Sequence, residues 1–157
     1  MTAITILVIA LAVTLAVGIV LRSRAGKVRV SAPAPTGTPD DERTALLEAA
    51  GVTPGNGPIV LHFSADWCGP CAAVRRVVGQ VLTKLDGRES TLPTITEVEL
   101  DIDEYPSLAK TLGVLSLPTT FILDAALGER FRISGVPSAA DLEAALKPIL
   151  EFGGPKS

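Results

Sequence analysis

The first 21 residues differ from the rest of the chain in their pattern of apolar and polar positions. The run from Ala3 to Leu21 contains 19 residues and no charged side chain. A helix of that length, at about 1.5 Å per residue, covers roughly the 30 Å hydrocarbon layer of a bilayer. A cleavable signal peptide fits less well, because it needs a positive leading region and a small-residue cleavage site soon after a shorter apolar stretch. The pattern predicts an uncleaved transmembrane anchor over residues 1–21.

Positive charge is concentrated on one side of this apolar run. Positive residues close to a membrane span resist translocation, so the flank that carries them is expected in the cytoplasm. The cations that follow the run are Arg22, Arg24, Lys27 and Arg29, and only the α-amino group precedes it. We therefore expect a single-pass membrane protein with its N-terminus outside and the rest of the chain in the cytoplasm. The reverse orientation, with an extracytoplasmic domain, is the alternative.

Residues 22–40 are predicted to form a basic and proline-rich linker. Pro33, Pro35 and Pro39 alternate with small and polar residues, and such a stretch cannot bury a core. The domain that follows, residues 41–157, is thus predicted to be tethered.

Short apolar elements alternate along this domain. Periodicity predicts helices over 44–50, 71–85, 106–112 and 138 to about 152, and strands over 58–64, 95–102, 119–123 and 130–133. The order β-α-β-α-β-β-α predicts an α/β fold with a central mixed sheet and helices on both faces. The strand over 58–64 is apolar on both faces and is expected inside the sheet.

Composition narrows the classes of function. The 157 residues have room for one core, and a net charge of -3 provides no basic surface for nucleic acid. Two cysteines and one histidine cannot supply the four ligands of a structural zinc site. Two cysteines also cannot form the framework of a disulfide-rich secreted module. We expect neither nucleic acid nor metal as a ligand.

The candidate chemistry lies between the strand over 58–64 and the helix over 71–85. There the chain reads Trp67-Cys68-Gly69-Pro70-Cys71. At a helix start, backbone N–H groups and the helix dipole stabilise a thiolate, so Cys68 is the predicted nucleophile. Cys71 is one turn deeper on the same face and is the predicted resolving thiol. This motif predicts thiol-disulfide exchange through a redox-active Cys68-Cys71 pair with no bound cofactor.

At these residues the sequence resembles the thioredoxin family, from about residue 58 to residue 150. Leu117-Pro118-Thr119 before a strand resembles the family's cis-proline loop, and Gly135 also matches. The resemblance implies a thioredoxin fold and a cis peptide at Pro118. It also implies substrate contacts at the thiol rim and the cis-proline loop, namely Trp67, Gly69, Pro70, Leu117, Pro118 and Thr119. For Trp67 a core position is the alternative.

Three positions depart from the family's pattern. Alignment places His62 where thioredoxins usually have a buried aspartate, and Glu99 where they have a lysine. His62 and Glu99 form a candidate proton relay for Cys71, with a structurally hydrogen-bonded core histidine as the alternative. Ala72 replaces a frequent lysine, so partner choice is expected to differ.

The expected function is a membrane-tethered thiol-disulfide oxidoreductase that reduces protein disulfides. The resemblance implies electron supply from a thioredoxin reductase. Extracytoplasmic thioredoxin-like reductases of cytochrome c maturation or envelope proteins usually carry an added strand and helix, whereas only 46 residues separate Cys71 from Pro118 here. Such a reductase and a non-catalytic, membrane-tethered interaction module are the alternatives.

Overall fold

The computed structural model of the protein describes residues 2–24, 26–30, 39–86 and 93–152, and in the first helix the side chains of residues 4–20. Within these ranges the helices are α1 (Thr2–Arg24), α2 (Pro39–Ala49), α3 (Cys71–Asp86), α4 (Pro106–Thr111) and α5 (Ala139–Phe152). The strands are β1 (Val28–Val30), β2 (Ile59–Ser64), β3 (Thr96–Asp101), β4 (Thr119–Leu123) and β5 (Glu129–Ser134).

The five strands form one mixed sheet in the order β1-β5-β4-β2-β3. β2 and β3 run parallel, and the other neighbours run antiparallel. All six residues of β2 are buried, as expected for a strand with a partner on each side and a covered surface on each face. The predicted mixed sheet, with its apolar strand inside, is confirmed.

Helices cover both faces of the sheet. Val60 packs with apolar residues of α3 and α5 on one face, whereas Leu61 and Phe63 pack with residues of α2 and α4 on the other. Because side chains alternate along a strand, His62 and Ser64 share the face of Val60. His62 therefore lies on the face of the sheet that α3 covers.

The last helix begins as the sequence predicts. The Asp141 backbone N–H donates to the Ser138 hydroxyl at 3.1 Å, and that hydroxyl donates to the Asp141 carboxylate at 2.7 Å. These contacts satisfy one of the free N–H groups at the helix start.

The N-terminal apolar run forms α1. Its large apolar side chains, where described, are between 49% and 71% exposed. Among the residues described, no helix was identified with the length and apolarity needed to cross a bilayer. The transmembrane anchor stays a prediction.

Parts of the predicted linker, residues 22–40, belong to helices and a strand in the structure. The helix continues to Arg24, Val28–Val30 joins the sheet beside β5, and α2 begins at Pro39. Strand β1 escaped prediction because three residues are too few to show an alternating pattern. Residue 25 and residues 31–38 of the predicted linker lie outside the described residues.

Candidate active site

Cys68 and Cys71 form a disulfide at the start of α3. The Cys71 backbone N–H donates to the Cys68 carbonyl at 3.2 Å, which closes the turn that leads into the helix. Cys68 is 9% exposed and Cys71 is 2% exposed. The helix start can stabilise a thiolate at Cys68, which is also the more accessible sulfur.

Apolar residues surround the disulfide. Ala65 is buried together with the two cysteines, and Ile102 and Leu117 pack against them. Exchange between thiols and disulfides needs access to one sulfur only. This packing leaves Cys71 enclosed and directs chemistry with outside partners to Cys68.

The loop before β4 carries the predicted cis-proline. The Leu117-Pro118 peptide bond is cis, as predicted. Leu117 is partly exposed, whereas Pro118 and Thr119 are buried. The Thr119 hydroxyl donates to the Ser116 carbonyl at 2.7 Å, so a substrate at this loop would meet Leu117 and backbone groups rather than the Thr119 side chain.

Trp67 lies at the rim of the thiol site. Its side chain is 71% exposed, so the alternative of a core tryptophan is wrong. The indole N–H donates to the Asp103 carboxylate at 3.2 Å. Gly69 and Pro70 beside it are also exposed, and together these three residues form a surface next to Cys68.

His62 does not pair with Glu99, contrary to the prediction. Its Nε2 lies 3.1 Å from Oε1 of Glu97, on a side chain that is 33% exposed, while the imidazole is 1% exposed. Glu99 is opposite His62 in the register of β2 and β3, but Arg75 of α3 donates to both Glu99 oxygens at 2.8 Å. The guanidinium competes for Glu99 and leaves Glu97 as the partner of the ring.

The two carboxylates therefore have different environments. Hydrogen bonds from Arg75, and a weaker one from Ser64, lower the pKa of Glu99 from its ordinary 4.5 to about 2. The same contact raises the pKa of Arg75. Glu97 instead links the buried imidazole to solvent, because its carboxylate touches the ring and is partly exposed.

A second buried polar group lies beside the imidazole. Thr120 is opposite His62 in the antiparallel pairing of β2 and β4, is fully buried, and its hydroxyl has no hydrogen-bond partner among the described atoms. Buried hydroxyls are normally satisfied by protein or by ordered water. The interior beneath α3 thus has a polar lining at this level of the sheet.

No group of three or more metal-ligating side chains occurs within the part of the chain that the structure describes.

A family model described as thioredoxin matches residues 49–148, well over half of the chain. The chain belongs to the thioredoxin family. A thioredoxin of Aspergillus fumigatus is 32% identical over 96 residues, which cover 61% of this chain and 81% of that protein. A thioredoxin of Mycobacterium bovis is 30% identical over 89 residues, covering 53% and 72%. A solved thioredoxin structure from Halobacterium salinarum has 26% identity and a TM-score of 0.53, covering 67% of this chain and 85% of that one.

As a member of the thioredoxin family with a redox-active cysteine pair, the protein is a protein-disulfide oxidoreductase. Two residues of its site were absent from the sequence prediction, Glu97 and Asp103. A signal for Asp103 existed: the carboxyl ends of the parallel strands β2 and β3 meet at one edge of the sheet, and Asp103 closely follows β3. Glu97 carried no such signal, because the competition for Glu99 depends on α3.

Proposed function

We propose that this protein is a membrane-tethered thioredoxin that reduces protein disulfides in the cytoplasm. The observation that carries the proposal is the position of the Cys68-Cys71 pair, at the start of α3 and packed against the cis-proline loop at Leu117. A thiol-disulfide exchange enzyme needs one accessible sulfur, one enclosed sulfur and a surface for the substrate, and this site has all three.

The reaction consumes a dithiol and yields a disulfide. The Cys68 thiolate attacks one sulfur of the substrate disulfide, breaks the S–S bond and expels the other sulfur as a thiolate that takes up a proton. The Cys71 thiol then loses its proton and attacks Cys68 in the mixed disulfide. The substrate leaves with two thiols, having gained two electrons and two protons, and Cys68 is joined to Cys71.

The second step needs a proton acceptor, because a thiol enclosed in apolar surroundings ionises reluctantly. A carboxylate only accepts hydrogen bonds, so the contact with Glu97 places the proton of a neutral His62 ring on Nε2 and leaves Nδ1 able to accept one. We include a proton relay from Cys71 through His62 to Glu97 in the proposal.

The oxidised pair must be reduced again before each new turnover. Members of this family are expected to take electrons from a flavin-dependent thioredoxin reductase that consumes NADPH. The protein itself needs no bound cofactor for this exchange, since the two cysteines carry both electrons.

The membrane tether is supported by sequence and by the helical state of the segment. Residues 3–21 carry no charge, α1 spans Thr2–Arg24, and the described apolar side chains of this helix are exposed rather than packed in a core. Exposed apolar area of this kind is unfavourable in water. The cations after residue 21 support a cytoplasmic domain.

Insulin reduction by the full chain, driven by NADPH and thioredoxin reductase, tests the proposed activity. We expect turnover by the native protein, none by Cys68→Ser, and an accumulated mixed disulfide with Cys71→Ser. Inactivity of the native protein, with dithiothreitol as well as with the reductase, would favour a tethered interaction module. Activity with dithiothreitol alone would instead reject the proposed electron donor.

A reporter fused to the C-terminus tests the orientation. We expect it in the cytoplasm for the native chain and on the opposite side when the positive charges are moved in front of residue 3, because charge asymmetry sets orientation. A native reporter outside would support the extracytoplasmic alternative. In the inverted variant, lysines are added before residue 3 and four cations are changed to neutral residues, namely Arg22, Arg24, Lys27 and Arg29.

A further inference from the structure

Only one residue separates the end of α1 from Gly26, which is bonded to the sheet. The helix ends at Arg24, and the Gly26 backbone N–H donates to the Ser134 carbonyl at 2.6 Å. Two residues span at most about 7 Å. Gly26 has a φ of 78°, and a Cβ there would collide with the Val136 carbonyl oxygen, so the chain passes close against the connection between β5 and α5. The end of α1 therefore lies within about 7 Å of Gly26, which is bonded to Ser134.

The register of the sheet places this junction at the thiol end. Val28, the first residue of β1, is opposite Ile133, one residue before the end of β5. Ser134 is opposite Thr119, the first residue of β4. Thr119 is in turn opposite Phe63, near the end of β2 that leads to the cysteines. β1 therefore begins at the same end of the sheet at which β2 delivers the active site.

A backbone hydrogen bond and a packing contact link the residue after Ser134 to the active site. The Gly135 N–H donates to the Pro118 carbonyl at 2.8 Å, and Leu117 packs against the cysteines. Three strand spacings separate β1 from β2, which amounts to about 15 Å. With the short connection from Arg24, the Cys68 sulfur lies within roughly 20 to 25 Å of the end of α1.

The surface around the thiols carries exposed apolar side chains. Trp67 and Leu115 are large apolar side chains that are exposed. Trp67 precedes Cys68, and Leu115, at 97% exposed, is in the loop that ends at Pro118. Exposed Lys27 lies at the junction itself. Tryptophan and lysine are both frequent where proteins meet the membrane–water interface.

We propose that the substrates of this protein are disulfides of other membrane proteins, in segments within roughly 25 Å of the bilayer surface. This inference rests on the proposed function, since it takes both the reductase activity and the membrane position of α1 from it. A bilayer that holds α1 also holds the thiol end of the sheet close to its surface. Disulfides on the same membrane are then concentrated near Cys68, and distant ones are out of reach.

The test uses the full chain, prereduced and reconstituted into vesicles of phosphatidylcholine and phosphatidylglycerol. One disulfide-bonded hairpin peptide is attached to a lipid anchor through either a short Gly/Ser spacer of about 4 residues or a long one of about 60 residues. The rate ratio between the short and the long substrate is measured by thiol release. Insulin serves as the soluble substrate in the same vesicles.

Two insertion variants provide the matched comparison. A Gly/Ser insertion of about 20 residues directly after Arg24 lets the domain move by about 25 Å from the helix end. The same insertion directly after Val30 leaves β1 in the sheet and the junction unchanged. We expect the native protein and the second variant to favour the short substrate by about 5- to 10-fold, and the first variant to lose that preference, because effective concentration falls steeply with tether length.

The outcomes separate the inference from the function beneath it. Equal rates on both spacers by the native protein, or a preference retained after the insertion at Arg24, would overturn the inference, provided that insulin is reduced and the protein floats with the vesicles. Absence of insulin reduction would overturn the proposed activity. Failure to float would overturn the proposed anchor. Either of these last two results would overturn the inference as well.

Discussion

We expect that glutamine in place of His62 keeps the hydrogen bond that the ring makes to Glu97, whose Oε1 lies 3.1 Å from Nε2. The glutamine side chain is close in length and its amide N–H can still donate to the carboxylate, but an amide does not accept a proton at neutral pH. We predict that His62→Gln slows resolution of the mixed disulfide by about 10-fold or more. Complete loss of a general base typically slows a reaction by about 10² to 10⁴, and the predicted effect lies within this range or just below it. Attack by Cys68 should be nearly unchanged.

The structure explains both the size of this effect and the choice of substitution. Resolution would be slowed rather than abolished, because water and the Glu97 carboxylate can still accept a proton; about 10-fold corresponds to roughly 1.4 kcal/mol of activation free energy. His62→Ala would be less informative. The ring is 1% exposed and bonded to Glu97, so its loss would leave a cavity and an unpaired group and cost about 2 to 4 kcal/mol of stability.

Stopped-flow fluorescence can resolve the two steps, since Trp67 is the single tryptophan and adjoins Cys68. The matched pair Glu97→Gln and Glu99→Gln sharpens the measurement: both glutamates are on β3 and face the same way, but only Glu97 touches the ring. We expect slower resolution with the first substitution and unchanged resolution with the second. Equal slowing of both steps in His62→Gln, or normal kinetics with a lower melting temperature, would refute the relay and make His62 a structural residue.

Three further outcomes are expected. Iodoacetamide should modify Cys68 of the reduced protein at least about 10-fold faster than Cys71 at neutral pH, because Cys68 is the more exposed cysteine and lies at a helix start. Mass spectrometry measures both rates, and equal rates would contradict the assigned roles. Glu99→Gln should lower the free energy of unfolding at pH 7 by at most about 1 kcal/mol. The depressed pKa of about 2 makes this contribution complete above about pH 4.5 and lost as the pH falls towards 2, so urea unfolding should show the two proteins converging there; a constant difference would be inconsistent. Ser138→Ala should cost about 1 kcal/mol in the same assay through loss of the α5 cap, with no effect on insulin reduction.

The sequence alone predicted the helices and strands of the domain other than β1, and it predicted the thiol chemistry. Continuous apolar residues over 58–64 and helical spacing over 71–85 predicted β2 and α3 to within a residue or two, because burial on two faces and on one face leave different periods in the chain. The Cys-Gly-Pro-Cys motif between them fixed the redox pair by local geometry. The resemblance of Leu117-Pro118-Thr119 to the thioredoxin cis-proline loop predicted the cis peptide that the structure contains.

The tertiary structure decided which carboxylate pairs with His62. The strand register places Glu99 opposite His62, as the alignment suggested. However, α3 carries Arg75 over this face of the sheet, and Arg75 binds Glu99. The imidazole therefore contacts Glu97 instead. No pattern along β3 distinguishes the two glutamates, since they occupy the same face of one strand. Their roles differ only because of a helix that packs on that face.

The position of α1 was likewise decided only in three dimensions. Three residues of β1 carry no readable period, and nothing in them says which edge of the sheet they join. Pairing with β5, more than a hundred residues away, places the end of α1 at the thiol end of the sheet. Pairing between strands so far apart in the sequence depends on the assembled sheet, because the core must first hold β5 in place before β1 can pair with it.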